Sequence, residues 1–167
     1  MTHPGSQPNG GESPRFSSTG APSPRLVLDT NTVLALWLFE DPSLATLRNF
    51  IESTQPALLS RADALEELHR VLAYRNFDLP PSRQAELLAA YQNRVIPVPS
   101  PAPGAPPLPP CRDRDDQKFL EIAQAGGAQT LITRDKALLR LARHRLVRSQ
   151  FAIVTPEFWV SAAPSTL

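Results

Sequence analysis

The sequence predicts a three-layer α/β/α sandwich around a mainly parallel sheet, and three observations predict it. Short apolar runs such as Leu26–Leu28 carry no polar alternation, the pattern of strands buried on both faces. Helical periodicity fills the stretches between them, and strands alternating with helices favour parallel order. The length of 167 residues gives room for one domain with a proper core and some tail.

Residues 1–24 are Pro, Gly and Ser with almost nothing to bury, and read as a disordered tail. The domain is expected over 25–160, with 161–167 as a C-terminal tail. After the first strand, "NTVLALWLFEDP" is a nearly all-apolar helix stopped by Asp41-Pro42. "SLATLRNFIEST" is a second helix, capped by Ser43 or Asp41. "ALLSR" is the next strand, then "ADALEELHRVLAYRNF" and "PSRQAELLAAYQNRV" are helices. Residues 96–110 carry eight prolines in fifteen positions. Val95–Val98 can open this stretch as an edge strand, and the rest, over 97–110, can only be an extended polyproline loop. "DDQKFLEIAQAGGA" is a helix ended by Gly126-Gly127. "QTLIT" is a buried strand, "DKALLRLARHRLV" a helix, and "FAIVTPEFW" a strand ending at Thr155-Pro156.

Composition narrows the function. A single cysteine, Cys111, excludes an internal disulfide and suits a reducing, cytoplasmic setting. No apolar run approaches the ~18 residues of a membrane span, and no signal-peptide pattern opens the chain, so no membrane role is expected. The net charge of +1 leaves the partner class open.

Carboxylates are where the sequence says most. In an open parallel sheet the strand C-termini line the functional crevice. Asp29 ends the first strand, Asp135 follows "LIT", and Asp113, Asp115 and Asp116 crowd the entrance of the "QKFLEIAQ" helix. In "ADALEELHRVL", Ala64, Leu65, Leu68, Val71 and Leu72 form the apolar arc; Glu67 lies on its margin, whereas Glu66 points to solvent. Like charges gathered this closely repel, and a divalent cation turns that cost into binding energy. Hard oxygen ligands suit Mg²⁺ or Mn²⁺. With no CxxC or HExxH and only three histidines, zinc is not indicated.

Each acid also has an ordinary structural use. Asp29, Asp113 or Asp116, and Asp135 can each cap the helix that follows, and Glu67 can be a surface residue with its stem over the core. The basic run Arg134, Lys136, Arg140, Arg143, Arg145 and Arg148 is either a solvated helix face or a phosphate-tracking patch. An Asp at the end of a first strand is also the arrangement of haloacid-dehalogenase-type phosphatases. Those need a second acid two residues on, where this chain has Asn31. A non-catalytic RNA- or protein-binding module is the other alternative.

Taken in order, "LVLDTNTVL", "EELHRVLAY", "CRDRDDQKFLEIAQAGGAQTLITRDKALL" and "IVTPEFW" resemble the PIN-domain family, and most of all the toxin components of bacterial type II toxin–antitoxin systems. The resemblance covers roughly residues 25–160. It implies a Mg²⁺- or Mn²⁺-dependent endoribonuclease whose acids fall on Asp29, Glu67, Asp116 and Asp135. Asp29, Asp116 and Asp135 are then the metal ligands, and Asp113, Asn31 and Thr133 are accessory. Arg112, Arg114, Arg134 and Lys136 are expected to meet RNA phosphates. The resemblance also implies a small cognate antitoxin and a homodimer to which the apolar helix "TVLALWLF" contributes. The chain departs from the family pattern at Arg114, where proline is usual, at Gln117 and at Thr32.

Overall fold

The apolar run Arg25–Leu28 (β1) lies at the centre of the sheet. The computed structural model describes residues 23–162. The expected N-terminal tail therefore lies outside the described residues except at Ser23 and Pro24, as does 163–167 of the expected C-terminal one. Among the described residues the other strands are Ala57–Ser60 (β2), Val95–Pro97 (β3), Thr130–Ile132 (β4) and Ala152–Val154 (β5). All pair in parallel, in the order β3-β2-β1-β4-β5, so the sheet is wholly parallel. β3 sits at an edge, where Pro97 leaves no ladder bond unmade.

Helices cover both faces: Thr30–Trp37 (α1), Ala45–Thr54 (α2), Ala62–Leu72 (α3), Pro81–Gln92 (α4), Gln117–Ala125 (α5), Lys136–Leu139 (α6), Arg145–Arg148 (α7) and Pro156–Ala162 (α8). Successive strand residues point to opposite faces. Val27, Leu59, Leu131 and Ile153 pack with Phe119, Ile122, Leu138 and Val147 from α5, α6 and α7. Leu26, Leu28, Leu58 and Ile132 pack with Leu36, Leu47, Leu68 and Leu72 from α1, α2 and α3. Two covered faces explain strands without polar alternation. In α1, Val33 through Leu36 are buried in the chain's own core, while Trp37 and the following Leu38 are only partly buried.

α5 stops at Gly126, which lets the helix end close on the sheet; a Cβ there meets Leu59 Cδ1 at 2.5 Å. The proline-rich stretch carries no strand or helix beyond β3 and runs back along α5. Gln124 Nε2 donates to Pro106 O at 2.8 Å, and Leu108 packs against the core.

Two elements differ from expectation. "DKALLRLARHRLV" is two short helices, because Leu138 and Val147 are both fully buried in one cluster. Nine residues at about 100° each put those positions on opposite faces of a straight helix, so the chain must break to bury both. His144 caps the second piece, its Nδ1 accepting from Leu146 N–H at 3.3 Å. β5 stops at Val154, close to the expected end at Thr155-Pro156, and the residues after it form α8, a helix not expected from the sequence. Pro156 opens it, and the Thr155 hydroxyl accepts from Phe158 N–H at 3.1 Å. Among the described residues no helix is long and apolar enough to cross a membrane.

The break carries a test. Val147→Asp should destabilise the protein by roughly 3 kcal/mol in urea unfolding, because it places an unpaired charge in the core. On a continuous helix with Leu138 inward, Val147 faces solvent and the substitution is silent.

Candidate active site

The chain leaves β3 at one edge and returns to β4 beside β1, so the C-terminal ends of β1 and β4 flank a topological switch point. Leu28 pairs with Ile132, which makes Asp29 and Thr133 neighbours just beyond the ladder. Asp29 N–H donates to Ile132 O at 3.3 Å. Asp29 is only 3 % exposed, and both its oxygens are used. Oδ1 accepts from Thr32 N–H at 2.8 Å, capping α1, and Oδ2 accepts from the Thr133 hydroxyl. That same hydroxyl accepts from Asp135 N–H at 2.9 Å. One fully buried threonine thus ties the two strand-end acids together, the accessory role expected of it.

Asp135 is half-buried and caps α6, its Oδ1 accepting from Ala137 and Leu138 N–H at 2.7 and 3.0 Å. Both cap bonds fall on one oxygen, so Oδ2 takes no part in the cap. The capping and crevice readings of Asp29 and Asp135 are therefore compatible.

Asp116 precedes α5, but its side chain makes no cap bond. The helix entrance does not hold this carboxylate, contrary to expectation. Burial, then the charges of Asp135, Asp113, Glu67 and Asp29, push its pKa up to about 6. Burial likewise raises Asp29, despite the hydrogen bonds from Thr133 and Thr32 that oppose it. Asp113 and Asp115 are exposed, and Asp113 Oδ1 accepts from Asp115 N–H at 3.0 Å.

Glu67 is held against the body of the protein, as its place on the helix margin predicts. Its Oε1 accepts from the Thr30 hydroxyl at 2.6 Å and its Oε2 pairs with Lys118. Glu66 is exposed beside His69. Sequence reasoning missed Thr30 and Lys118; a hydroxyl directly after Asp29 was the available signal for the first. Asn31, expected to orient the acids, is exposed on α1. The orienting bonds come from Thr30, Thr32 and Thr133 instead.

The basic residues divide. Arg112, Arg114, Lys136 and Arg140 line one open cleft with Asp113 and Asp135. Arg134 does not join them. Its Nε donates to Glu157 at 2.7 Å and its Nη2 to Asp41 at 3.0 Å, so it clamps α8 to the turn before α2. Arg61, at the end of β2, bridges Asp63 at 2.7 Å and Glu121 at 2.8 Å. Cys111 packs in the core, and burial raises its thiol pKa.

In kind the carboxylate donors suit Mg²⁺ or Mn²⁺, and the buried Cys111 thiol lies within reach of the charges of Asp116, Asp135 and Asp113. Burial is the larger cause of the raised pKa of Asp116, and the neighbouring acids add to it. Among the described residues, however, no three His, Cys, Asp or Glu side chains come together closely enough to hold an ion as they stand. Local bonds explain the spread, since Thr133, the α6 cap and Lys118 each hold one acid in place.

A family model described as PIN domain matches residues 25–137, from the first residue of β1 into α6, and the four acids fall inside the match. No curated protein matches the chain.

Two measurements follow. Thr133→Val leaves Asp29 Oδ2 and Asp135 N–H without their partner and should cost about 2 kcal/mol, with Thr133→Ser losing less. The second concerns Asp116 in metal-free buffer. Its folded pKa lies above the unfolded value of 3.8, so the folded protein binds the extra proton between about pH 4 and 6. Its contribution to stability is fully present below pH 4 and lost as the pH rises through 6. Asp116→Asn should therefore be more stable than wild type at pH 7, by a margin that shrinks toward pH 4. A margin independent of pH would show that Asp116 titrates normally.

Proposed function

The chain belongs to the PIN-domain family, whose members are generally nucleases, and from that premise we propose that it is a Mg²⁺- or Mn²⁺-dependent endoribonuclease acting in the cytoplasm. The observation that carries the reading is the gathering of acids around the switch point, where burial first, and then the charges of Asp135, Asp113, Glu67 and Asp29, raise Asp116 to about 6. Asp29, Asp116 and Asp135 would hold the ion, with Glu67 beside them. A bound divalent ion supplies Lewis acidity toward a phosphate oxygen and makes water nucleophilic at neutral pH.

The rest of the chemistry belongs to the chain. Thr133 orients the Asp29 carboxylate and ties it to the backbone of Asp135. Asp116, free of cap bonds, is the acid able to move. Arg112, Arg114, Lys136 and Arg140 supply positive charge along the open side, where a backbone phosphate can be held in line with the acids. Position 31 is Asn, which leaves the phosphatase alternative without the second acid it needs.

Within this reading the chain is the toxin of a type II pair, silenced by a small antitoxin and acting as a homodimer. Resemblance to such toxins is the support for that part.

Purified protein with Mg²⁺ or Mn²⁺ should cleave RNA, and Asp29→Asn or Asp116→Asn should abolish cleavage. Asp113→Ala should weaken it and Asp115→Ala should change little. Arg112→Ala with Arg114→Ala should raise KM for RNA several-fold, with kcat nearly unchanged. Equal cleavage by wild type and both Asp→Asn variants would trace the activity to a contaminant. Intact RNA, with no Mn²⁺ binding, would leave a non-catalytic binding module. Growth arrest on expression, relieved by a small neighbouring gene, is the expected outcome for a toxin.

A further inference from the structure

We propose that Gln117 is a positioning residue for RNA. Its side chain clasps the proline-rich stretch 97–110 to the entrance of α5, and so holds Arg112 and Arg114 in one cleft with Lys136 and Arg140. The inference rests on the reading of that cleft as a surface for RNA phosphates, and it names what keeps the cleft in shape. Lys136 and Arg140 are carried by α6 and the residue after it. Arg112 and Arg114 lie in no strand or helix, so a support other than sheet register has to place them.

Proline chemistry explains why an amide side chain gives that support. A proline offers a carbonyl but no N–H, so a proline-rich stretch presents mostly acceptors to the helix beside it. α5 answers with two glutamines about two turns apart along one side. Gln124 Nε2 donates to Pro106 O at 2.8 Å, and Gln117 Nε2 donates to Pro109 O at 3.4 Å. Where the prolines end, Cys111 restores an N–H, and Gln117 Oε1 accepts from it at 2.6 Å. One side chain thus serves an acceptor and a donor of the stretch at once. A carboxylate at this position lacks the donor, and an apolar side chain lacks both.

The clasp closes residues 111–117 into a ring. Cys111 anchors one end in the core, and α5 anchors the other. Inside the ring, Asp116 N–H donates to Asp113 O and Gln117 N–H to Arg114 O, each at 3.3 Å. Asp113 Oδ1 accepts from Asp115 N–H at 3.0 Å. Both ends being tied by one side chain, the exposed arginines between them are held near α6 before a phosphate arrives, which reduces the ordering cost of binding. Gln117 is also one of the positions at which the chain departs from the PIN-domain pattern.

Fluorescence anisotropy of a labelled single-stranded RNA of mixed sequence, titrated with the full chain in EDTA, tests this without a metal. Gln117→Met keeps the length of the side chain and loses both bonds. It should weaken the Kd roughly fivefold and flatten the dependence of log Kd on log salt, because phosphate contacts are lost. In an Arg112→Ala/Arg114→Ala background the same substitution should cost less than about twofold. Hydrogen exchange should show the Cys111 amide less protected in Gln117→Met. A folded Gln117→Met with the wild-type Kd overturns the inference. So does an undiminished loss in the background without the two arginines, which would make the effect a general loss of structure. Should Gln117→Met fail to fold, Gln117→Asn, whose amide sits one methylene further back, decides by the same two comparisons. RNA bound but left intact with Mn²⁺ would remove the nuclease reading and leave this inference standing. Absence of RNA binding by the wild type would overturn both.

Discussion

The parallel register of β1 against β4 is the constraint on which the candidate site depends. With Leu28 opposite Ile132, the residues one step beyond are Asp29 and Thr133, and their side chains have no choice but to meet. The threonine hydroxyl reaches both Asp29 and the backbone of Asp135, which joins the end of one strand to the start of α6. A slip of one residue turns every strand side chain to the other face and loses both core packing and crevice at once. Apolar burial on the two faces fixes the register, and the register places the acids.

Charge in the crevice is then managed by separate devices. Asp29 is buried, and hydrogen bonds from Thr133 and Thr32 offset part of the desolvation that raises its pKa. Asp135 uses one oxygen to cap a helix and keeps the other out of the cap. Glu67 is matched by a lysine from a different helix. Asp116 has none of these supports, and burial together with the neighbouring acids raises its pKa to about 6.

Legibility in the sequence followed the range of the interactions. Strands were readable because two-sided burial removes polar alternation locally, and Asp29 and Asp135 could be placed from where those runs stop. Lys118 was not readable, and Thr30 only as a hydroxyl directly after Asp29, since their partner Glu67 comes from another part of the chain and meets them only after α3, α1 and α5 have packed. Arg134 looked like part of a basic patch because its partners Asp41 and Glu157 are brought to it by the fold. The break between α6 and α7 was hidden for the opposite reason. Local propensity runs smoothly through it, and only the shared burial of Leu138 and Val147 demands it. For α8 the local signals, Thr155, Pro156 and Glu157, were present and outweighed by the apolar run before them.

The central claim is that acids from β1, the α5 entrance and the end of β4 form one cation site. Anomalous diffraction at the manganese edge, from crystals of this protein soaked in Mn²⁺, measures that directly. The account predicts a peak in contact with Asp29, Asp116 and Asp135, with the Asp116 side chain turned toward it. A peak elsewhere on the molecule, or an empty crevice at millimolar Mn²⁺, would contradict it.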